Sequence, residues 1–138
     1  MGRTSERWVY WSLGGFLVAV TAARLWYVHQ GYLELSPDEA HYWEWSRRLD
    51  WSYYSKGPFV AYLIALSTAL GGATEFFVRL PAVLLSAGTT VCVFGLIKAL
   101  FSNASLALAT AVFLQIIPLF AAGALLRTID TPLNFFWT

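Results

Sequence analysis

Three apolar blocks, each about as long as a bilayer is thick, run along the chain, and one long polar stretch separates the first from the others. A spanning helix needs ~20 mostly apolar residues at ~1.5 Å each. Trp8 to Val28 meets that need, and aromatics mark both ends: Trp8, Tyr10 and Trp11 at one, Trp26 and Tyr27 at the other. These belts lie roughly 25 Å apart along a helix, the order of a hydrocarbon core. Arg3 and Arg7 ahead of an apolar run resemble a signal peptide, but apolar residues resume past Arg24, so an uncleaved signal anchor fits better. Leu80 to Ile97 is charge-free between Arg79 and Lys98 and forms a second span, with Pro81 in its first turn. Leu106 to Leu126 forms a third, kinked at Pro118. The connection Ser102 to Ser105 is so short that the second and third spans are antiparallel neighbours. A fourth span starts near Thr131 and is still running at Thr138, which predicts a truncated sequence, because a spanning helix cannot stop after two turns in lipid.

The polar stretch, 29–79, has its own pattern. Ser36-Pro37-Asp38-Glu39 reads as a helix start, with Ser as N-cap, Pro at the first position and Glu closing a capping box. The helix is expected over 37–49, lying in the membrane interface. At 100° per residue, Asp38, Tyr42, Trp45 and Leu49 share one stripe, and Glu39, Trp43, Arg47 and Asp50 another. Phe59 to Leu70 is apolar but only twelve residues long, fenced by Gly57-Pro58 and Gly71-Gly72. As a helix it reaches ~18 Å, short of the ~30 Å core, so it is expected to be re-entrant or interfacial and not to cross.

Composition agrees with the spans: 58% of residues are hydrophobic and 12% charged, against roughly 25% charged in a soluble domain. The expected fold class is therefore an all-α multi-pass membrane protein. Nine Lys or Arg against eight Asp or Glu give a net charge of +1, without the basic footprint of a nucleic-acid binder. Membrane lipids are the expected surroundings. The single cysteine, Cys92, lies in an apolar run and is expected to be a small buried hydrophobe.

With three spans and a non-crossing 59–70 segment, the loop 31–58 and Arg127-Thr128-Ile129-Asp130 fall on one membrane face. A site there would hold Asp38 and Asp130 as carboxylates and Lys56 and Arg127 as cations. Acids in a first helical turn also complement the helix dipole, but Glu39 already completes the capping box, which leaves Asp38 for chemistry. Glu39 is retained as a weaker candidate for substrate binding. Lys56 has two readings, snorkelling at the interface or meeting a phosphate oxygen, and the Gly57-Pro58 turn would aim it. Arg127 has the same two readings, and Tyr54 stands beside Lys56 in the candidate binding set. Asp130 before Thr131-Pro132 is either a helix cap or, as an acid at membrane depth, a functional residue. His29 and His41 are lone histidines among aromatics and suit packing better than metal ligation. Arg47 and Arg48 could meet lipid phosphates, although Glu44 and Arg48 also form an i,i+4 pair.

Four motifs in order, Ser36-Pro37-Asp38-Glu39-Ala40-His41-Tyr42-Trp43, Tyr53-Tyr54-Ser55-Lys56-Gly57-Pro58, Arg79-Leu80-Pro81 and Thr128-Ile129-Asp130-Thr131-Pro132, resemble the polyprenyl-phosphate-dependent GT-C glycosyltransferases. Bacterial relatives of protein O-mannosyltransferases and the lipid A aminoarabinose transferases are the nearest in kind. The resemblance implies a GT-C-type transmembrane helical bundle with juxtamembrane helices in the first outer loop. It also implies a cytoplasmic amino terminus and a site facing the periplasm from the cytoplasmic membrane. It makes Asp38 the catalytic carboxylate, Lys56 the phosphate contact and Asp130 the second acid. Some lipid A relatives carry Glu before the lysine and hold a metal with it; here Ser55 stands in that place, so no metal or other cofactor is expected.

The function so implied is transfer of a sugar from a lipid-linked polyprenyl-phosphate donor to a lipid, glycan or protein acceptor, with inversion. A transporter or flippase for a lipid-linked anion is the alternative, and a non-catalytic scaffold a third. A transporter would want its charges inside the spans, whereas these stand at span ends and in one surface loop.

Overall fold

A computed structural model describes residues 3–32, 34–53, 57–125 and 130–137. Among them the chain forms seven α-helices and no strand: α1 Arg3–His29, α2 Pro37–Ser46, α3 Phe59–Gly71, α4 Glu75–Phe101, α5 Ala104–Ile116, α6 Pro118–Gly123 and α7 Asp130–Trp137. This is the all-α membrane class expected. Two helices, α1 and α4, are long and apolar enough to cross a membrane.

α1 and α4 run antiparallel and touch along their length. At one end His29 meets Phe76 edge-on at 5.9 Å, and Arg24 donates to the Ser86 hydroxyl at 3.0 Å. At the other, Tyr10 meets Phe94 at 5.8 Å, and Lys98 lies 3.4 Å from Glu6 and bonds the Tyr10 hydroxyl. α2 and α3, which join the two long helices, therefore begin and end at the His29 end of the pair.

Each end of the α1–α4 pair has its own apolar core. Val9, Leu13, Phe94, Ala104, Ala107 and Ala111 bring α1, α4 and α5 together at the Lys98 end, where the alanines allow close helix approach. Tyr42, Val60, Ile64 and Val78 join α2, α3 and α4 at the other end, with Leu35, Trp43 and Trp45 packed on them.

The α4–α5 hairpin turns in two residues. Ser102 ends α4 in the left-handed region at φ 50°, and Asn103 caps α5 by accepting from Leu106 N–H at 3.0 Å. This is the antiparallel neighbour pair expected from the short connection. α7 packs against α4 where Gly88 offers bare backbone: a Cβ there would lie 2.7 Å from the Phe135 ring. Phe136 meets Phe59 edge-on at 5.3 Å, which sets α7 beside the start of α3.

Several expectations need correction. α4 starts five residues before Leu80, so Pro81 sits inside the helix and Arg79 lies on it. The third apolar block is not one kinked helix: Ile117 adopts φ −59°, ψ 123° and the helix breaks, because the residue before a proline is forced from the helical region. α2 ends at Ser46, with Arg47 as its C-cap, so Leu49 is not part of it. Cys92 is exposed on the outside of the helix bundle.

Candidate functional site

The Ser36-Pro37-Asp38-Glu39 start forms as its sequence dictates. Ser36 Oγ accepts from Glu39 N–H at 3.3 Å, and Glu39 Oε2 accepts from Ser36 N–H at 2.9 Å. Both halves of the capping box are present, with Pro37 in the first turn.

Glu39 is fully buried, and its carboxylate faces Arg79 of α4. Arg79 Nε donates to Oε1 and Nη2 to Oε2, each at 2.9 Å, and Nη2 also donates to the Glu34 carbonyl at 2.9 Å. The planar guanidinium suits this two-pronged grip, and the bonds are charge-assisted. One cation thus ties the first turn of α2 and the segment before it to the second turn of α4. The geometry gives Glu39 a structural role, in place of the substrate contact expected for it.

Asp38 is exposed at the start of α2. The buried side of α2 runs through Glu39, Tyr42 and Ser46, so it takes Glu39 from one of the two expected stripes and Tyr42 from the other. The reason is electrostatic: a carboxylate can be taken out of water only beside a cation, and Arg79 stands under Glu39. Asp38 is left as a carboxylate on a firmly anchored helical turn, open to a reactant.

The rest of this surface is aromatic. Trp45 stacks on Tyr53 at 4.5 Å, with 7° between ring planes, and His41 lies 4.4 Å from Trp45. The Tyr53 hydroxyl donates to the Trp45 and Arg48 carbonyls, and Tyr62 donates to the Asp50 carbonyl. The loop after α2 is thereby folded back onto α2 and α3. Arg47 lies 5.2 Å over the Trp43 ring, and both line a cavity of about 450 Å³ between α2 and α3. Both histidines lie against aromatic rings. The ion pairs among the described residues are Arg79–Glu39 and Lys98–Glu6, so Glu44 and Arg48 do not pair.

Of the other candidates, Asp130 opens α7, the helix that packs on α4 and reaches Phe59. Tyr54, Lys56 and Arg127 lie outside the described residues, as does Ser55. The described residues include no group of three or more His, Cys, Asp or Glu that could hold a metal ion. Arg79 was missed as a site residue, although the motif Arg79-Leu80-Pro81 contains it. Its signal was an arginine continuous with an apolar run, a placement that demands a partner.

Residues 55–138 match the family of dolichyl-phosphate-mannose-protein mannosyltransferases. A lipid A galacturonosyltransferase of Rhizobium johnstonii is 48% identical over 40 residues, which cover 29% of this chain and 8% of that protein. No solved structure matches the chain.

Proposed function

Because this chain belongs to the dolichyl-phosphate-mannose-protein mannosyltransferase family, within the GT-C glycosyltransferases, we propose that the whole protein moves a sugar from a polyprenyl-phosphate donor to a lipid, glycan or protein acceptor. The site faces the outside of the cytoplasmic membrane, with the amino terminus inside. The observation that carries this reading is Asp38, an exposed carboxylate on a turn that is anchored through its neighbour Glu39 to α4. Such a group is placed to act as general base on an acceptor nucleophile.

Lys56, with Tyr54 and Arg127, offsets the charge that grows on the phosphate as its bond to the anomeric carbon breaks. Asp130 is the second acid, on a helix adjoining the same end of the bundle. In-line attack opposite the phosphate inverts the anomeric centre. The antiparallel α1–α4 pair supports a non-crossing α3, since one further crossing between them would make them parallel. Among the described residues the carboxylates of α1 and α4, Glu6 and Glu75, stand at the helix ends and none lies within their apolar runs, which favours a surface site over the transporter reading.

Asp38→Asn in the full-length protein tests the assignment. It keeps the size of the side chain and leaves the Ser36–Glu39 box intact. Transfer from a polyprenyl-phosphate sugar should fall at least 100-fold, in the range of a lost general base. A near wild-type rate in correctly inserted protein would remove Asp38 from the mechanism. Lys56→Ala should raise the donor KM or lower turnover, and unchanged donor kinetics would return Lys56 to snorkelling.

A further inference from the structure

Between Trp8 and Val28 the first apolar block contains a single charged residue, Arg24. A charge inside a spanning segment costs up to ~3 kcal/mol on insertion scales, and such residues turn inward and pair. Arg24 does turn inward: it is half-buried, and Nη1 donates to Ser86 Oγ of α4 at 3.0 Å. That bond does not need a charge, since the acceptor is a neutral hydroxyl. No carboxylate among the described residues is within ion-pair distance of Arg24, and the stretch of α4 around Ser86 is charge-free.

The surroundings are polar at this one level of the bundle. Thr90 Oγ1 donates to the Ser86 carbonyl at 2.9 Å, and Gln115 of α5 bonds Thr90. Gln115 is more than nine-tenths buried, and its Oε1 has no hydrogen-bond donor. Arg24, Ser86, Thr90 and Gln115 thus form one chain of polar contacts across α1, α4 and α5, and the guanidinium has further N–H groups to offer.

Depth identifies the anion. Arg24 stands two residues before Trp26, whose side chain is 60% exposed, and five before the end of α1. Aromatics of this kind mark the headgroup level, and five residues of helix are about 7.5 Å. An arginine just below that level reaches phosphate oxygens of a lipid whose tails lie in the hydrocarbon beside α1. A free anion would have to leave water to get there. We infer that Arg24, seated on Ser86, is a binding residue for the phosphate of a membrane lipid, either a polyprenyl monophosphate or a bilayer phospholipid.

The test reads binding without turnover, so it stands or falls apart from the transfer reaction. Full-length protein is purified in detergent, and the shift in Tm on adding a polyprenyl monophosphate or phosphatidylglycerol is measured. Wild type and Arg24→Lys should both be stabilised. Arg24→Gln, which removes the charge and keeps a polar side chain, should lose that shift or need at least tenfold more lipid. Loss confined to the polyprenyl phosphate assigns the site to a donor-type lipid; loss for phosphatidylglycerol assigns it to a bilayer lipid. Ser86→Asp places a carboxylate on Arg24 from within and should also abolish the shift, which keeps the test available if Arg24→Gln fails to fold. No lipid shift in wild type, or full shifts in Arg24→Gln or Ser86→Asp, overturns the inference. So does a lower Tm in Arg24→Gln with its lipid shifts intact, which would assign the charge to a carboxylate elsewhere in the protein.

Discussion

Arg79 reaches from the second turn of α4 and holds both carboxylate oxygens of Glu39, forty residues away in sequence, each at 2.9 Å. Both side chains are almost entirely out of water, at 3% and 0% exposure. Removing one member of a buried pair costs more than replacing both. Arg79→Met should therefore destabilise the full-length protein by about 3–5 kcal/mol. Adding Glu39→Gln should recover a large part of that loss. Thermal unfolding followed by tryptophan fluorescence measures both, and an unaltered Tm in the single variant would mean the pair contributes nothing.

The antiparallel α1–α4 pair makes a prediction about compartments. With Cys92 removed, single cysteines at Ser52 and Ala73 flank α3 and should both react with a membrane-impermeant thiol reagent added to intact cells. A cysteine at Ser102, in the turn at the opposite end of α4, should be protected. Reaction at only one of Ser52 and Ala73 would mean that α3 crosses, and Asp38 and Asp130 would then lie in different compartments.

Gly88 gives α7 its close seat on α4, with the Phe135 ring where a side chain would begin. Gly88→Leu should loosen α7 and cost about 1–3 kcal/mol, as overpacking does. Phe135→Ala in the same chain should relieve most of the crowding. If the double variant is as unstable as the sum of the two single ones, the ring and the glycine are not coupled.

Ser102 adopts a backbone conformation that favours glycine. Ser102→Gly should stabilise the α4–α5 hairpin by about 1 kcal/mol, since a left-handed conformation burdens a residue with a Cβ. A fall in Tm would show that the serine side chain contributes more than the strain removes.

The fold was legible wherever a single local rule decides. Block length located α1 and α4, the short connection paired α4 with α5, and the capping box placed the start of α2 to the residue. Brevity and glycine fences located α3. What the sequence did not disclose depends on partners far along the chain. Which face of α2 is buried followed from Arg79, forty residues on, so Glu39 rather than Asp38 went inside. Pro118 is the exception, since the break at Ile117 is a stronger outcome of the same local rule that announced a bend. Arg24 looked like an interruption of an apolar block until α4 supplied Ser86 beside it.

The pairing of α1 with α4 also has a schedule. Ser86 follows Arg24 by 62 residues, and a ribosome adds roughly 5–20 residues per second. Arg24 is therefore synthesised about 3 to 12 s before its helix partner Ser86. During that interval α1 is a lone helix with an uncovered guanidinium, and α2 has no Arg79 against which to bury Glu39. The surface that presents Asp38 cannot take its final form until α4 has been inserted, so assembly of this end of the protein waits on the insertion machinery rather than on local folding.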